Sequence, residues 1–302
     1  MKTRTILIIT LLFWGLLTNA QKIHFSKGDG GFWIKENGQN ILFFNRNLND
    51  SIPSHARCNY FHPVYDLKGN CITEDFPADH LHHRGIFWAW LQIIIDGQNV
   101  ADGWHLQNFG QDIDQVEFVT DANGNGVFNY SSFWHTTDKP DNPLMRENTK
   151  VVVYPRALNY RQIDFTIELR ALENELQIGG STSEKGYGGF SIRLKTDEHT
   201  QFTDSKKEKV IPINLSIASD RLMNISNPKQ KSGVTIIAWE QNPGTSEWIL
   251  RQEGSAQNVA WPGQTPVDVL ITKPLVLKYT ILLHNGKPKR LPLKYFLEKT
   301  AK

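Results

Sequence analysis

Histidines concentrate in one part of this sequence, and their spacing suggests proton-transfer chemistry. Five of the ten lie between positions 62 and 105, and the densest stretch is Asp79-His80-Leu81-His82-His83-Arg84-Gly85. Imidazole has an unperturbed pKa of about 6.5, so it can donate or accept a proton at physiological pH. Arginine presents a planar fork of donors that fits a carboxylate or a sulfate. This stretch is therefore the first candidate for a functional site.

Three interpretations of the stretch remain open from the residues alone. His80 and His82 could be metal ligands together with Asp79 or His105, because imidazole and carboxylate suit zinc, copper or iron. They could instead be the acid and the base of a catalytic site. They could also belong to a hydrogen-bonded structural cluster beneath a loop. If the segment is extended, His80 and His82 share one face and His83 points away from them.

Other side chains could complete such a site. Most tryptophans of a β-rich chain are expected in the core, but one or two could stack on a sugar ring. The candidates for catalysis are His80, His82, Arg84, His105 and Tyr187, and those for substrate binding are His62, His83, Trp88, Trp104, Arg146 and Arg193. We predict no required cofactor, and the alternative is a divalent metal on His80, His82 and His105.

The chain has two cysteines, Cys58 and Cys71. In an oxidising compartment they could pair and close a loop of about fourteen residues, worth about 3 kcal/mol by loop entropy. Two buried free thiols are the alternative, because spacing does not give geometry. We predict the disulfide.

The first twenty residues have the composition of a secretory signal peptide. A basic start (Met1-Lys2-Thr3-Arg4) precedes an apolar run over residues 6–17, and Thr18-Asn19-Ala20 ends in small residues. The run is about twelve residues, whereas a helix needs about twenty to cross a bilayer. We expect cleavage after Ala20 and export to the periplasm or beyond, with no membrane insertion. A membrane anchor is the weaker alternative.

Charge and composition narrow the class of partner. Loss of Lys2 and Arg4 with the signal brings the 33 basic residues of the chain to 31, equal to the 31 acidic ones. A neutral protein without a basic block is not built for nucleic acid, where phosphate contacts dominate affinity. Hydrophobic residues make up 39% of the chain, enough to form a core. The sequence does not indicate an oligomeric state.

Short aromatic and β-branched runs must position the candidate residues. Residues 31–34 and 40–44 flank Glu36-Asn37-Gly38, and residues 115–120 and 126–133 flank a second turn that contains Asn123-Gly124. Both pairs are typical of β-hairpins. Similar runs continue to residue 283, and no amphipathic helix exceeds two turns. We therefore predict an all-β fold, an antiparallel β-sandwich spanning residues 21–302 as a single domain.

Common catalytic motifs are absent from the sequence. It contains no glycine-rich phosphate loop, no G-x-S-x-G elbow and no His-Glu-x-x-His. Gly186-Tyr187-Gly188-Gly189 lies between predicted strands with no helix after it, so it is not a dinucleotide-binding fingerprint.

Four segments together resemble the PmoA-like family of bacterial proteins. They are Tyr60-Phe61-His62-Pro63, the stretch from Asp79 to Trp88, Gly103-Trp104-His105, and the run from Gly188 to Arg193. The resemblance implies a role in glycan utilisation and a fold similar to the β-supersandwich of galactose mutarotases. On that fold we expect His80, His82, Arg84 and His105 to converge on one concave face.

These observations predict an exported enzyme that eliminates across C4–C5 of uronic-acid residues in oligosaccharides. Arg84 would stabilise the carboxylate, His80 or His82 would remove the C5 proton, and His105 or Tyr187 would protonate the departing C4 oxygen. The product is a 4,5-unsaturated uronate, formed by a dehydratase if water leaves or by a lyase if a glycan leaves. A mutarotase-like sugar epimerase and a non-catalytic glycan-binding protein are the alternatives.

Overall fold

A computed structural model gives the fold, and it describes residues 22–244 and 247–301. The predicted signal peptide lies outside these residues. In chain order the strands are β1 (Ile23–Gly28), β2 (Gly31–Glu36), β3 (Gln39–Asn45), β4 (Tyr60–Val64), β5 (Ile86–Ala89), β6 (Gln92–Ile95), β7 (Gln98–Ala101), β8 (Gly110–Thr120), β9 (Gly126–His135), β10 (Met145–Val153), β11 (Tyr160–Ala171), β12 (Gln177–Gly179), β13 (Gly189–Ile192), β14 (Gln201–Thr203), β15 (Lys209–Val210), β16 (Ile217–Ala218), β17 (Leu222–Asn227), β18 (Ser232–Ala238), β19 (Glu247–Ile249), β20 (Gln257–Ala260), β21 (Val267–Asp268) and β22 (Leu275–His284). The α-helix of the described residues is α1 (Leu293–Lys299), and Pro53–His55 and Pro288–Arg290 form single 3-10 turns.

The strands form three antiparallel sheets. The first sheet has nine strands in the order β1-β2-β3-β4-β5-β13-β20-β19-β16. The second also has nine, in the order β15-β14-β17-β18-β22-β11-β10-β9-β8, and a smaller sheet has the order β21-β12-β6-β7. Adjacent strands pair antiparallel throughout.

The two large sheets pack face to face over one aromatic core. Phe61 and Trp88 of the first sheet share this core with Phe165 and Tyr279 of the second. Along β10 every second residue is buried, the alternation expected of a strand with one face against a core. The predicted all-β antiparallel sandwich is therefore confirmed. The closer likeness to galactose mutarotases stays a prediction.

The predicted hairpins are also confirmed. Asn37 and Gly38 connect β2 to β3 with φ of 50° and 79°. Two positive φ values in succession are the requirement of a type I′ turn, whose twist matches that of the flanking strands. Residues 121–125 connect β8 to β9, and Gly124 has φ of 82°.

The outer face of the first sheet carries a second, smaller aromatic cluster. Successive residues of a strand point to opposite faces, so Phe87 and Ala89 face away from the core that Trp88 enters. Phe87 and Ala89 pack there against Tyr60 and Trp104. Loops that follow β4 and β7 cover this outer face, and both carry histidines. No helix in the described part of the chain is long and apolar enough to span a membrane.

Candidate active site

Four histidines meet on the outer face of the first sheet. The rings of His80 and His83 are stacked, with centroids 4.5 Å apart and planes 6° from parallel. His82 lies edge-on to His83 and to His105, with centroids at 4.6 and 4.7 Å. We call these four residues the histidine cluster. The structure thus brings together three of the predicted catalytic residues, His80, His82 and His105.

The backbone of the cluster consists of turns rather than an extended strand. The amide of His80 donates to the carbonyl of Pro77, and the amide of His83 donates to the carbonyl of His80. In consecutive turns of this kind, residues three apart come to the same side, which is why His80 stacks on His83. The extended conformation in which His80 and His82 would share a face, with His83 opposite, is therefore not adopted.

Each of the two most exposed cluster histidines is bound to an aspartate. Nδ1 of His80 lies 2.8 Å from Oδ2 of Asp79, and Nδ1 of His105 lies 2.7 Å from Oδ2 of Asp102. A carboxylate only accepts hydrogen bonds, so Nδ1 of each ring carries the proton and Nε2 is left with the lone pair. The side chain of His105 remains 34% exposed. It therefore has the orientation of a general base.

Asp102 is itself fixed by the backbone. Its Oδ1 accepts hydrogen bonds from the amides of Trp104 (2.8 Å) and His105 (2.9 Å), while Oδ2 holds the His105 ring. Sequence reasoning missed Asp102. An aspartate followed by glycine, with its side chain capping the amides two and three residues later, is a common turn signal that could have identified it.

Aromatic rings support the cluster from below. Trp104 is only 4% exposed, and its ring lies 5.7 Å from His83, 5.3 Å from Phe87 and 5.2 Å from Tyr187. We call Phe87, Trp104 and Tyr187 the aromatic floor. Trp104, predicted to stack on a sugar, instead packs beneath the histidines, whereas Tyr187 is half-buried at the edge of the site.

Burial sets the protonation states around the cluster. Desolvation, reinforced by charge on His105, Arg57 and His80, lowers the pKa of His82 to about 3. Desolvation and the neighbouring histidines lower the pKa of His83 still further. Desolvation also raises the pKa of Tyr187. At neutral pH, His82 is therefore uncharged and the Tyr187 hydroxyl retains its proton.

Arg84 does not face the site, which corrects its predicted role. Its side chain is fully buried and pairs with Asp75, with Nε and Oδ1 3.2 Å apart. Its terminal nitrogens donate to the carbonyls of Leu81 and His83, at 2.5 and 2.8 Å, and to that of His55. The guanidinium is fully buried and ties the turn of the cluster to a neighbouring loop, so it is not accessible to a substrate carboxylate.

Arg193 lies beside the cluster but is likewise engaged. Its Nη1 is 3.4 Å from Nδ1 of His83, and its other nitrogens bind Glu74 (2.7 Å) and Asp79 (2.8 Å). The side chain is 3% exposed. The predicted direct contact with substrate does not fit this burial. Arg193 instead fixes Asp79, which in turn holds His80.

Three predicted binding residues lie away from the cluster. Nε1 of Trp88 donates to the buried carboxylate of Glu147 (3.1 Å), so Trp88 is a core residue. Arg146 precedes Glu147 on β10 and therefore points to the opposite face of the second sheet. Nδ1 of His62 is hydrogen-bonded to Oγ1 of Thr73 at 3.0 Å. Strand alternation thus removes Trp88 and Arg146 from the site, whereas the ring of His62 is held by Thr73.

The predicted disulfide is not formed. Cys58 and Cys71 are both free thiols. The buried sulfur of Cys58 donates to the carbonyl of Gln111 at 3.1 Å, and that of Cys71 to the carbonyl of Thr73 at 3.3 Å. The two cysteines belong to different local structures, which the loop length between them does not reveal.

No group of three His, Cys, Asp or Glu side chains among residues 22–244 and 247–301 is arranged to hold a metal ion. In the histidine cluster the rings of His80 and His83 are stacked, and Nδ1 of His80 and of His105 is hydrogen-bonded to an aspartate. A site without a required cofactor stays a prediction.

Comparison with known proteins places the chain in a family. The model of a family of unknown function, DUF6807, matches residues 33–294. The chain belongs to the DUF6807 family. The predicted membership of the PmoA-like family is therefore wrong, and the glycan-utilisation role that it implied loses that support.

This DUF6807 chain has a distant likeness to a solved structure. A solved structure, that of the Slr1438 protein from Synechocystis sp. PCC 6803, is 8% identical with a TM-score of 0.30, covering 87% of this chain and 96% of the other. No curated protein matches the chain.

Proposed function

We propose that the histidine cluster is an acid–base active site that eliminates across C4–C5 of uronic-acid residues in oligosaccharides. The observation that carries the proposal is the Asp102–His105 pair, a part-exposed imidazole with its Nδ1 proton held by a fixed carboxylate. It lies beside a neutral His82 and an aromatic floor that includes a protonated tyrosine.

His105 is the base in this proposal. Its Nε2 lone pair is oriented by Asp102, and a carboxylate behind the ring stabilises the imidazolium that forms when a proton is taken. His82 is a poorer base, because a group with a pKa of about 3 has little affinity for a proton at neutral pH. From the sequence, His80 or His82 was the predicted base and His105 or Tyr187 the predicted acid, so His105 alone changes role in this proposal.

Tyr187 is the acid. Its ring packs edge-on against Trp104, which also contacts His83, so the hydroxyl belongs to the same face as the histidines. Since desolvation raises the pKa of Tyr187, the phenol is protonated at neutral pH and can give its proton to a leaving oxygen.

The developing negative charge on the substrate carboxylate needs stabilisation, and Arg84 cannot provide it directly. Two buried guanidiniums, Arg57 and Arg193, contribute positive potential at the cluster, which is visible in their lowering of the pKa of His83. While neutral, His82 also has one N–H to donate. This potential favours a carboxylated substrate over a neutral sugar.

His105 takes the proton from C5, the electron pair of that bond forms the C4–C5 double bond, and the C4–oxygen bond breaks with Tyr187 supplying a proton to the oxygen. The products are a 4,5-unsaturated uronate and water if the C4 hydroxyl is free, or a shortened glycan if C4 is linked. We favour the dehydratase.

The alternatives have less support. A glycan-binding protein needs exposed aromatic platforms, but Trp88 and Trp104 are both buried. A mutarotase-like epimerase acts on a neutral sugar, so it would make no use of the positive potential that Arg57 and Arg193 contribute at the cluster.

Turnover of a substrate panel tests the proposal. The protein is incubated with uronate-terminated oligosaccharides and, separately, with a neutral aldose, while ultraviolet absorbance reports a conjugated alkene and mass spectrometry reports loss of water. We expect an absorbing product from the carboxylated sugars alone. Anomerisation of the neutral aldose without any absorbing product would support the epimerase instead.

A further inference from the structure

His80 has no role in the proposed elimination, yet it repeats the features of the base. Its side chain is 41% exposed, and its Nδ1 lies 2.8 Å from Oδ2 of Asp79. Because the carboxylate only accepts, Nδ1 carries the proton and Nε2 of His80 has the lone pair, as Nε2 of His105 does. The histidine cluster therefore contains two part-exposed bases of the same kind, and the elimination uses one of them.

A buried arginine holds the carboxylate that orients His80. Nη2 of Arg193 donates to Oδ1 of Asp79 at 2.8 Å, so Oδ2 remains for the His80 ring. Nε of Arg193 donates to Glu74 at 2.7 Å. The backbone fixes the same arginine, because its amide donates to the carbonyl of Gly85 (2.7 Å) and its carbonyl accepts from the amide of Glu74 (3.0 Å). The pair of Asp79 and His80 is thus preorganised, as a catalytic pair must be.

His82 lies between the two aspartate-bound histidines. Its ring centroid is 5.7 Å from that of His80 and 4.7 Å from that of His105. Within residues 22–244 and 247–301, the rings of His80 and His105 make no direct contact with each other. The two bases therefore stand on either side of the uncharged His82.

This arrangement has a consequence for a carboxylate bound at His82. The neutral His82 ring has one N–H to donate to a substrate carboxylate. C5 of a uronic acid is attached directly to that carboxylate, so it would lie between His80 and His105. Loss of the C5 proton to either base gives the same enediolate, in which C5 is planar. A proton returned to the face from which the first one left restores the original sugar, whereas a proton delivered to the other face inverts C5.

We infer that the site also inverts C5 of uronic acids, with His80 and His105 as the bases on opposite faces of the sugar ring. His105 takes the C5 proton, and the electron pair of the C–H bond passes into the carboxylate to form the enediolate. Protonated His80 then gives its Nε2 proton to the opposite face of C5, and the electron pair returns to form the new C–H bond. No bond to the C4 oxygen breaks, and the reverse reaction exchanges the two roles.

The protonation states that inversion needs are accessible to histidine. Imidazole changes charge between pH 5 and 8, so one ring can take a proton while the other holds one. Both side chains are part-exposed, 41% for His80 and 34% for His105, so solvent can return each ring to its starting state after a turnover. The substrate class and the role of His105 rest on the proposed function.

The test uses the methyl glycoside of 4-deoxyglucuronic acid, which has no oxygen at C4 and therefore cannot undergo the elimination. The full-length protein is incubated with this glycoside, or with its C5 epimer, in heavy water, and NMR follows deuterium at C5 and the appearance of the other epimer. The variants are His80→Gln, Asp79→Asn and, as a matched control at an exposed position, His24→Gln. We expect the wild type to interconvert the epimers and to place deuterium at C5 of the product.

The variants separate a base from a structural residue. His80→Gln should lose inversion at least a hundredfold, because one of the two bases is missing. It should still exchange the C5 hydrogen of the one epimer that His105 serves, which a collapsed site could not do. Asp79→Asn should lose inversion tenfold or more, since an amide no longer fixes the Nδ1 proton of His80. His24→Gln should keep the wild-type rates.

Different results decide on inversion and on elimination. Inversion of the 4-deoxy sugar without an alkene from any uronate that carries oxygen at C4 would retain inversion and exclude elimination, and an alkene without inversion would do the reverse. Three results overturn the inference: no inversion by the wild type, inversion at the wild-type rate in His80→Gln, or loss of exchange with both epimers in that variant. Asp79→Asn, which keeps an acceptor for Arg193, decides the question if His80→Gln does not fold.

Discussion

The pairing of His105 with Asp102 determines which nitrogen of the His105 ring can accept a proton. Asp102 touches the ring at Nδ1, 2.7 Å away, and leaves Nε2 free for a substrate. We expect Asp102→Asn to reduce turnover about a hundredfold or more, because an amide no longer fixes the tautomer or stabilises the imidazolium. The acidic limb of the pH–rate profile should move, which a purely structural role would not cause.

The measurement is turnover against pH for Asp102→Asn and for Asp29→Asn, an exposed aspartate on the β1–β2 turn that serves as the control. Equal profiles for the two variants would remove Asp102 from the mechanism.

Arg84 has the donor groups of a substrate-binding residue, but its role in the structure is to hold two loops together. Its buried charge is balanced by Asp75 and by backbone carbonyls, and its guanidinium carbon lies 3.6 Å from the centroid of the Phe76 ring. We expect Arg84→Gln to lower the free energy of unfolding by about 3–5 kcal/mol, since it leaves the partners of a buried charge unpaired. Denaturant unfolding of this variant beside the exposed Arg290→Gln measures the difference. If Arg84→Gln is stable and has lost only its affinity for carboxylated sugars, Arg84 binds the substrate carboxylate after all.

At the scale of elements, the close approach of β4 to the residue before β5 sets the position of the histidine turn. A Cβ on Gly85 would lie 2.1 Å from the carbonyl oxygen of Phe61, so any side chain there must push the backbones apart. We expect Gly85→Ala to destabilise the protein by about 1–3 kcal/mol. Because Gly85 directly follows Arg84, turnover should fall as well. Thermal unfolding followed by circular dichroism measures the loss of stability. An unchanged melting temperature would show that the backbones at Gly85 and Phe61 can move apart without cost.

The sequence predicted the elements better than the side-chain roles, for a physical reason. Alternation and turn residues are local, so the hairpin at Asn37-Gly38 and the strand that contains Trp88 were predictable. Trp88 and Trp90, two residues apart, both lie in the core, but which face of a strand is buried depends on the second sheet. The role of Arg84 likewise depends on carbonyls at residues 55 and 81, which no local pattern reveals.

The concentration of histidines in the sequence correctly predicted which residues distant in the chain lie together in the fold. It located His80, His82 and His105 before any contact was known, and the structure places these rings together. It could not give the backbone conformation, because the turns at Pro77 and His80 depend on hydrogen bonds rather than on hydrophobic pattern. The family resemblance misled, because shared short motifs do not establish membership.

The whole molecule should lose stability in acid because several histidines are buried in neutral form. Desolvation lowers the pKa of His62 and of His284 to about 4, and that of His82 to about 3. The unfolded chain binds these protons near pH 6.5 but the folded chain does not, so stability is complete above pH 6.5 and falls as the pH drops toward 4. Each such histidine lowers the free energy of unfolding by up to about 1.4 kcal/mol for every pH unit below 6.5 in this range.

Urea unfolding at a series of pH values measures this effect. His62→Gln, which keeps a partner for Thr73, should have a shallower slope than the wild type, whereas His24→Ala, at an exposed position, should keep the wild-type slope. Stability that does not change between pH 6.5 and 4 would contradict the burial of neutral imidazoles.

We propose that proton transfer takes place at the histidine cluster on the outer face of the first sheet. It is tested most directly by the rate of alkene formation from a uronate-terminated oligosaccharide, followed by ultraviolet absorbance in the wild type, in His105→Ala and in His24→Ala. We predict that His105→Ala loses about 10²–10⁴-fold in rate while remaining folded, since it lacks the general base. His24→Ala should retain the wild-type rate. An absorbing product formed at the wild-type rate by His105→Ala, or no such product from any carboxylated glycan with the wild type, would rule out elimination with His105 as the base.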